Sequence, residues 1–293
     1  MPIRLICLDA DDTLWGHESY FQTSYRRFAD LLAPFADAAK SEQRLVETEN
    51  RNLHLYGYGV KGFTLSMLET ALEIVGDGLT AAKTREILEI GRDLMRHPID
   101  LLEGVAEALG PLSERGALVL VTKGDLFHQE SKLAASGLGD KFSGVEIVSE
   151  KTSEVYRRIF ARYGAAPIEA VMVGNSLRSD ILPALAAGAF AVHIPHEFEW
   201  AHERAQTPEA EPRFRRLTSS SERAPRPVSL SNMPESFSER LSNMGSLQGL
   251  PRGVRATTNA PGSATRCRTG TAVLKGTDGL STRREPNEDR PRS

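Results

Sequence analysis

The sequence predicts an α/β protein: a doubly wound, Rossmann-like parallel sheet, an all-helical block inserted after the first strand, and a disordered C-terminal tail. Three observations carry this. Ile3 to Leu8 is a short apolar run that ends at once in acids, residues 18–95 keep helical spacing with no strand among them, and the residues after Pro98 alternate between the two periods.

Ile3 to Leu8 lacks helical periodicity and reads as a buried parallel strand, which puts Asp9, Asp11 and Asp12 at its carboxyl end. From Glu18 onward Phe21, Tyr25, Phe28 and Leu32 fall on one helical face, and Leu45, Leu53, Leu65, Leu68, Leu72, Ile87 and Leu94 continue the pattern through about four helices. Past His97 and Pro98 the spacing predicts helix from Leu102 to Leu112, strand from Ala117 to Val121, helix from Leu126 to Ser136 and strand from Val145 to Val148. Helix from Ser153 to Tyr163, strand from Ala170 to Val173, helix from Arg178 to Ala187 and strand from Phe190 to Ile194 follow. Residues 1–15 and 99–217 are therefore expected to form the α/β core, with Arg213 to Leu217 closing it. Residues 16–98 form a helical cap, placed where ligands bind in such sheets and suited to act as a lid. From Thr218 to Ser293 Pro, Ser, Arg, Thr and Gly dominate and neither period persists, which predicts disorder and, with it, a passive tail.

An apolar share of 40% is enough for a real core, and a net charge of -3 with a pI near 6.2 gives no general attraction for nucleic acid or an anionic membrane. The two cysteines, Cys7 and Cys267, make neither a disulfide framework nor a zinc knuckle. The N-terminal apolar run is too short and too soon charged for a signal peptide, and no segment reaches the length of a membrane span, so a cytoplasmic protein is expected.

The acids at the first strand end carry the chemistry. Two carboxylates two residues apart on an extended turn can aim at one place, and a hard divalent cation such as Mg²⁺ offsets their repulsion. The same acids could instead cap a helix. Other strand ends favour the first reading: Thr122 ends one predicted strand, Lys151 follows another, and Asn175 and Asp180 follow a third. One sheet edge thus gathers hydroxyl, ammonium, amide and carboxylates, the set that phosphoryl transfer needs.

The order Asp9-x-Asp11-x-Thr13, a strand-end Thr122, Lys151 and Gly174-Asn175-Ser176 followed by Asp180 resembles the haloacid dehalogenase-like hydrolase superfamily, across roughly Ile3 to His196. The segment from Leu102 to Leu109 resembles the family's return from cap to core. The resemblance implies that Asp9 attacks phosphorus, that Asp11 protonates the leaving alcohol and then activates water, and that Thr122 and Lys151 bind and neutralise the phosphoryl group. It implies a Mg²⁺ held by Asp9, the Asp11 carbonyl, and Asp180 or Asn175, completed by water, with Asp180 the better acidic ligand. An acid at Asp11 favours phosphate esters over alkyl halides, and a small phosphorylated metabolite is the expected substrate. Two positions depart from the family pattern: Asp12 stands where glycine is common, and Asn175 where aspartate is usual.

Among weaker signals, the stretch from Leu55 to Gly62 suits a substrate loop, with Tyr58 and Lys61 as readers of the leaving group, and Lys123 lies beside the phosphate through its backbone amide. His193, His196, Glu197, His202 and Glu203 lack zinc-site spacing and read as surface after the last strand. The other functions open at this point are a phosphomutase of the same superfamily and a phosphate-accepting regulatory module.

Overall fold

The structure is a computed structural model that describes residues 2–198 and 200–217. The segment from Thr218 to Ser293, where the sequence predicts disorder, lies outside the described residues.

Six strands form one sheet, β1 (Leu5–Leu8), β2 (Ala117–Lys123), β3 (Gly144–Val148), β4 (Ala170–Gly174), β5 (Phe190–His193) and β6 (Phe214–Arg216). All pairings are parallel and the order is β3-β2-β1-β4-β5-β6, the doubly wound arrangement that the alternating periods predict. Alternation within each strand splits its apolar residues between the two sheet faces. Ile6, Leu8, Leu118, Leu120, Val171 and Val173 join one core; Leu5, Cys7, Val119, Val121, Ala170 and Met172 join the other. Both faces being covered, β1 is buried throughout, and burial pushes the free Cys7 thiol up to about 12.

Between β1 and β2 stand α1 (Glu18–Leu32), α2 (Ala38–Tyr56), α3 (Val60–Val75), α4 (Ala81–Met95) and the short α5 (Val105–Ser113). Helices α1 to α4 pack on a core of their own, in which Phe21, Tyr25, Phe28, Leu45, Phe63, Met67, Ile87 and Leu94 are buried. No helix among the described residues is long and apolar enough to cross a membrane. On the sheet side, α6 (Leu126–Ser136) and α7 (Ser153–Arg162) start where Asp125 and Thr152 accept bonds from the His128 and Val155 amides at 3.0 and 3.2 Å.

One predicted helix takes another form. The run from Arg178 to Ala187 begins as a π-helical turn at Leu177–Ile181 and only then becomes α8 (Leu182–Ala186). The Ser176 carbonyl accepts from both Asp180 N and Ile181 N, at 3.0 and 3.1 Å, and this widened turn carries Asp180 inward until it is wholly buried. Gly174, at the end of β4, makes room for it: a Cβ there would lie 2.2 Å from the Asp180 Oδ2. That carboxylate is held by other partners and has nowhere to go. Gly174→Ala is therefore expected to lower unfolding free energy by about 1–3 kcal/mol, measured by denaturant titration; an unchanged midpoint would show that the turn can yield.

Candidate active site

The loop after β1 supplies the centre. Asp9 is 6% exposed and is tied to β4 by its own amide, which donates to the Val173 carbonyl at 2.9 Å. The Lys151 ammonium, from the loop between β3 and α7, donates to Asp9 Oδ1 and, at 2.6 Å, to Asp180 Oδ1. Asp180 Oδ2 accepts from the Ser176 amide at 3.0 Å, so both Asp180 oxygens are engaged. Burial, then the Asp180 charge, raise Asp9 to about 7 against the opposing pull of Lys151. One ammonium between two carboxylates leaves a net negative charge in a buried place.

Asp9 Oδ2 accepts from the Thr13 hydroxyl at 3.2 Å. The Asn175 side-chain amide lies 3.2 Å from that oxygen and 3.3 Å from the Asp11 carbonyl oxygen. With its nitrogen turned inward the amide donates to both. With its oxygen turned inward, three oxygens converge, one each from a carboxylate, a backbone carbonyl and an amide, which is the donor set of a hard cation. No group of three His, Cys, Asp or Glu side chains among the described residues could hold a metal ion, and the histidines of β5 and beyond are spread: His193, buried at the end of β5 rather than on the surface, pairs with the Asn175 carbonyl at 2.9 Å, and His196 lies 3.7 Å from Asp12.

Asp11 is gripped from three sides. Lys132 Nζ, on α6, reaches both its oxygens at 2.6 and 2.7 Å, Trp15 Nε1 donates to Oδ1 at 2.7 Å, and Gln129 Nε2 reaches Oδ2 at 3.2 Å. Burial would raise its pKa, but the His17 and Lys132 charges and these bonds hold it far below the usual carboxylate range. His17 is itself pushed down to about 3 by burial, so at neutral pH Lys132 is the cation that counts. These partners favour the ionised form of Asp11. Gln129 also donates to the Thr122 hydroxyl at 2.5 Å, joining the two residues.

Asp12 is no third charge at the centre. It sits at φ 58°, the left-handed region where glycine is commonest, and its carboxylate accepts from the His17 and Glu18 amides at 2.8 and 3.1 Å. It caps α1, the other role open to this acidic turn, and burial raises it to about 6.

A cleft of about 160 Å³ runs from Asp9, Asp11, Thr122, Lys151 and Asn175 into the helical block, past Phe21, Tyr25, Glu49 and Asn52. Tyr58 also lines it, donating to Glu150 at 2.5 Å, with the Lys123 ammonium 3.9 Å from its ring centre. Lys123 is held by Ser179 Oγ at 2.8 Å and Glu203 Oε1 at 2.7 Å. Lys61 is outside the cleft: it is exposed and pairs with Asp125 at 2.8 Å. Lys132 and Gln129 carry no signal in the sequence: a buried lysine on α6 (3% exposed) looks like any polar helical position until Asp11 is seen beside it, and Glu203, expected on the surface after the last strand, instead lines the cleft and holds Lys123.

The comparisons with known proteins agree on the class. The model of the haloacid dehalogenase-like hydrolases matches residues 3–188. A phosphoserine phosphatase of Thermus thermophilus is 33% identical over 246 residues, which cover 73% of this chain and 95% of that protein. A haloacid dehalogenase-like hydrolase of Xanthomonas campestris superposes with a TM-score of 0.71 at 37% identity, over 84% of this chain and 95% of its own. A 2-haloacid dehalogenase of Pseudomonas syringae, at a TM-score of 0.52 and 18% identity over 81% of this chain and 99% of its own, shares the fold alone. The chain belongs to the haloacid dehalogenase-like hydrolases. It is an enzyme of their phosphatase kind.

Lys151→Met would leave Asp9 and Asp180 buried together without a counter-charge, and a loss of about 3–5 kcal/mol in stability is expected at neutral pH. A carboxyl raised above its ordinary 3.8, as Asp9 is, favours the fold at low pH, and that contribution disappears as pH climbs through the folded value. Because Lys151 lowers Asp9, its loss lifts that carboxyl above the parent's value of about 7, so the variant goes on losing stability where the parent no longer does, and the deficit should widen as pH rises from about 7 in urea titrations; a deficit that is flat or shrinks would contradict the assignment.

Proposed function

We propose that the chain is a Mg²⁺-dependent phosphatase of small phosphate monoesters, acting through an aspartyl-phosphate on Asp9. The single observation that carries the reading is the buried Asp9 carboxylate, held by Lys151 on one oxygen and offering the other beside the Asp11 carbonyl and the Asn175 amide.

The Asp9 carboxylate attacks phosphorus and the ester oxygen departs, taking a proton from the acid form of Asp11. Asp11, now ionised, takes a proton from water; the water oxygen attacks phosphorus, the bond to Asp9 breaks and phosphate leaves. Asp11 ends the cycle protonated, ready for the next ester. Lys132, Trp15 and Gln129 aim the carboxylate, and the Lys132 charge favours its base form. The Thr122 hydroxyl and the backbone amide after it receive the phosphoryl oxygens, while Lys151 offsets their charge. Mg²⁺ would be held by Asp9, the Asp11 carbonyl and Asn175, since Asp180 has both oxygens committed, and would supply positive charge to the transferring group. Tyr58 and Lys123 border the leaving-group side; Lys61 instead ties the helical block to Asp125. The free, buried Cys7 suits a reducing, cytoplasmic setting.

Phosphoserine, which the name of the Thermus relative gives as that protein's substrate, is one ester to try. With p-nitrophenyl phosphate and Mg²⁺ the protein should release phosphate, chelation should stop release, and Asp9→Asn should lower it about a thousandfold or more while circular dichroism stays unchanged. Turnover by a folded Asp9→Asn protein at the parental rate would sink the mechanism.

A further inference from the structure

The part of the cleft lining that α1 and α2 supply is rich in acceptors. Glu18 opens α1, while Glu49 and Asn52 lie on α2, one helical turn apart, and all three line the cleft. Glu49 Oε2 accepts from the Tyr25 hydroxyl and Glu18 Oε1 from Gln22 Nε2 at 2.8 Å; among the described residues neither carboxylate has a lysine or arginine partner. Asn52 is 3% exposed, and its amide nitrogen donates to Ser66 Oγ at 3.2 Å and to Glu69 Oε2 at 3.0 Å. A carboxylate only accepts, so Glu69 fixes the orientation of that amide. The Asn52 Oδ1 is left without a donor among the described residues. Three buried or half-buried acceptors on one wall lack a cation. Burial raises both Glu49 and Glu18 to about 7, Glu18 also through the nearby Asp12 and Glu49 charges, and a cation seated there would relieve both.

The opposite signs are spent elsewhere. The only lysine or arginine side chains lining the cleft among the described residues are Lys123 and Lys151, and they are bound to Glu203 and to Asp9 and Asp180. The cleft lining therefore holds a place for a phosphate beside Asp9 and acceptors on α1 and α2 for a hydrogen-bond-donating cation, with Phe21 and Phe63 also lining it and, among the described residues, no free lysine or arginine to hold a carboxylate.

We infer that this site is specific for phosphate monoesters of amino alcohols, whose ammonium is received by Glu18, Glu49 and Asn52, and that a carboxylate on the same carbon skeleton is disfavoured. This inference rests on the phosphatase reading and narrows its substrate class. An ammonium placed between Glu18 and Glu49 gains two ionic hydrogen bonds and a third to the Asn52 oxygen, whereas a neutral ester leaves the wall unpaired and a carboxylate meets two like charges.

The test is kcat/KM with Mg²⁺ for four esters of similar size: O-phosphoethanolamine, ethyl phosphate, O-phosphoserine and phosphoglycolate. O-Phosphoethanolamine is expected to exceed ethyl phosphate at least tenfold, to exceed O-phosphoserine, and to exceed phosphoglycolate by the widest margin. In Glu49→Gln and in Glu18→Gln the ratio of phosphoethanolamine to ethyl phosphate should fall by about tenfold or more. An equal or reversed ratio in the parent protein, or ratios unaltered in both variants, overturns the amine assignment while leaving phosphatase activity in place. A folded protein that turns over none of the four esters, nor p-nitrophenyl phosphate, overturns the phosphatase reading itself.

Discussion

A single ammonium group, Lys151 Nζ, lies between two buried carboxylates, and much of the molecule is arranged to keep it there. Asp9 belongs to the loop leaving β1, Asp180 to the π-helical turn after β4, and Lys151 to the loop after β3. Three separate crossovers of a parallel sheet must end in register for one charge to satisfy two. The absence of a side chain at Gly174 and the widened turn at Leu177–Ile181 both serve to bring Asp180 into that position. Ion pairs so deeply buried add little net stability, since desolvation offsets attraction, but removing one member is costly, and they fix geometry. Here the geometry fixed is that of the nucleophile.

A second ammonium, Lys132, treats Asp11 differently. Asp9 shares its lysine and is raised to about 7, whereas Asp11 has a lysine to itself together with an indole and an amide donor, and is driven strongly down. Two carboxylates two residues apart on one loop thus acquire opposite tendencies from their surroundings alone, and the Lys132 side of the pair favours Asp11 as the base of the second, water-activating half of the cycle.

Much of this was legible in the sequence, and the parts that were not share a cause. Strand parity and the polar strand ends Asp9, Thr122 and Asn175 follow from local pattern, because a strand buried on both faces must be apolar until it reaches solvent or a ligand. Four helices between Glu18 and Met95 follow from the 3.6 period. Lys132, Glu49 and Asn52 stayed hidden because a polar residue on a helix reads as a solvated face; only packing against a distant element makes it interior. Lys61 misled for the converse reason: a cation in a glycine-rich loop looked aimed at substrate, and the chain turns it outward to Asp125. Asp12 combined both problems, since its left-handed backbone was foreseeable from the glycine usual at that place, while its bond to the start of α1 depended on where that helix lies.

That bond has a bearing on how such a protein could be rebuilt. Asp12 is covalently next to Asp11 and also clasps the amide groups that open α1, so the acid turn and the first inserted helix are one mechanical piece. A chimaera that exchanged the whole helical block at the Trp15 junction would cut that piece in two and disturb the acid turn along with specificity. Nor can the seam be moved past Leu32, because Phe21, Tyr25, Phe28 and Leu32 bury α1 in the core it shares with α2 to α4, so α1 is bound to the acid turn at its start and to the other helices along its length.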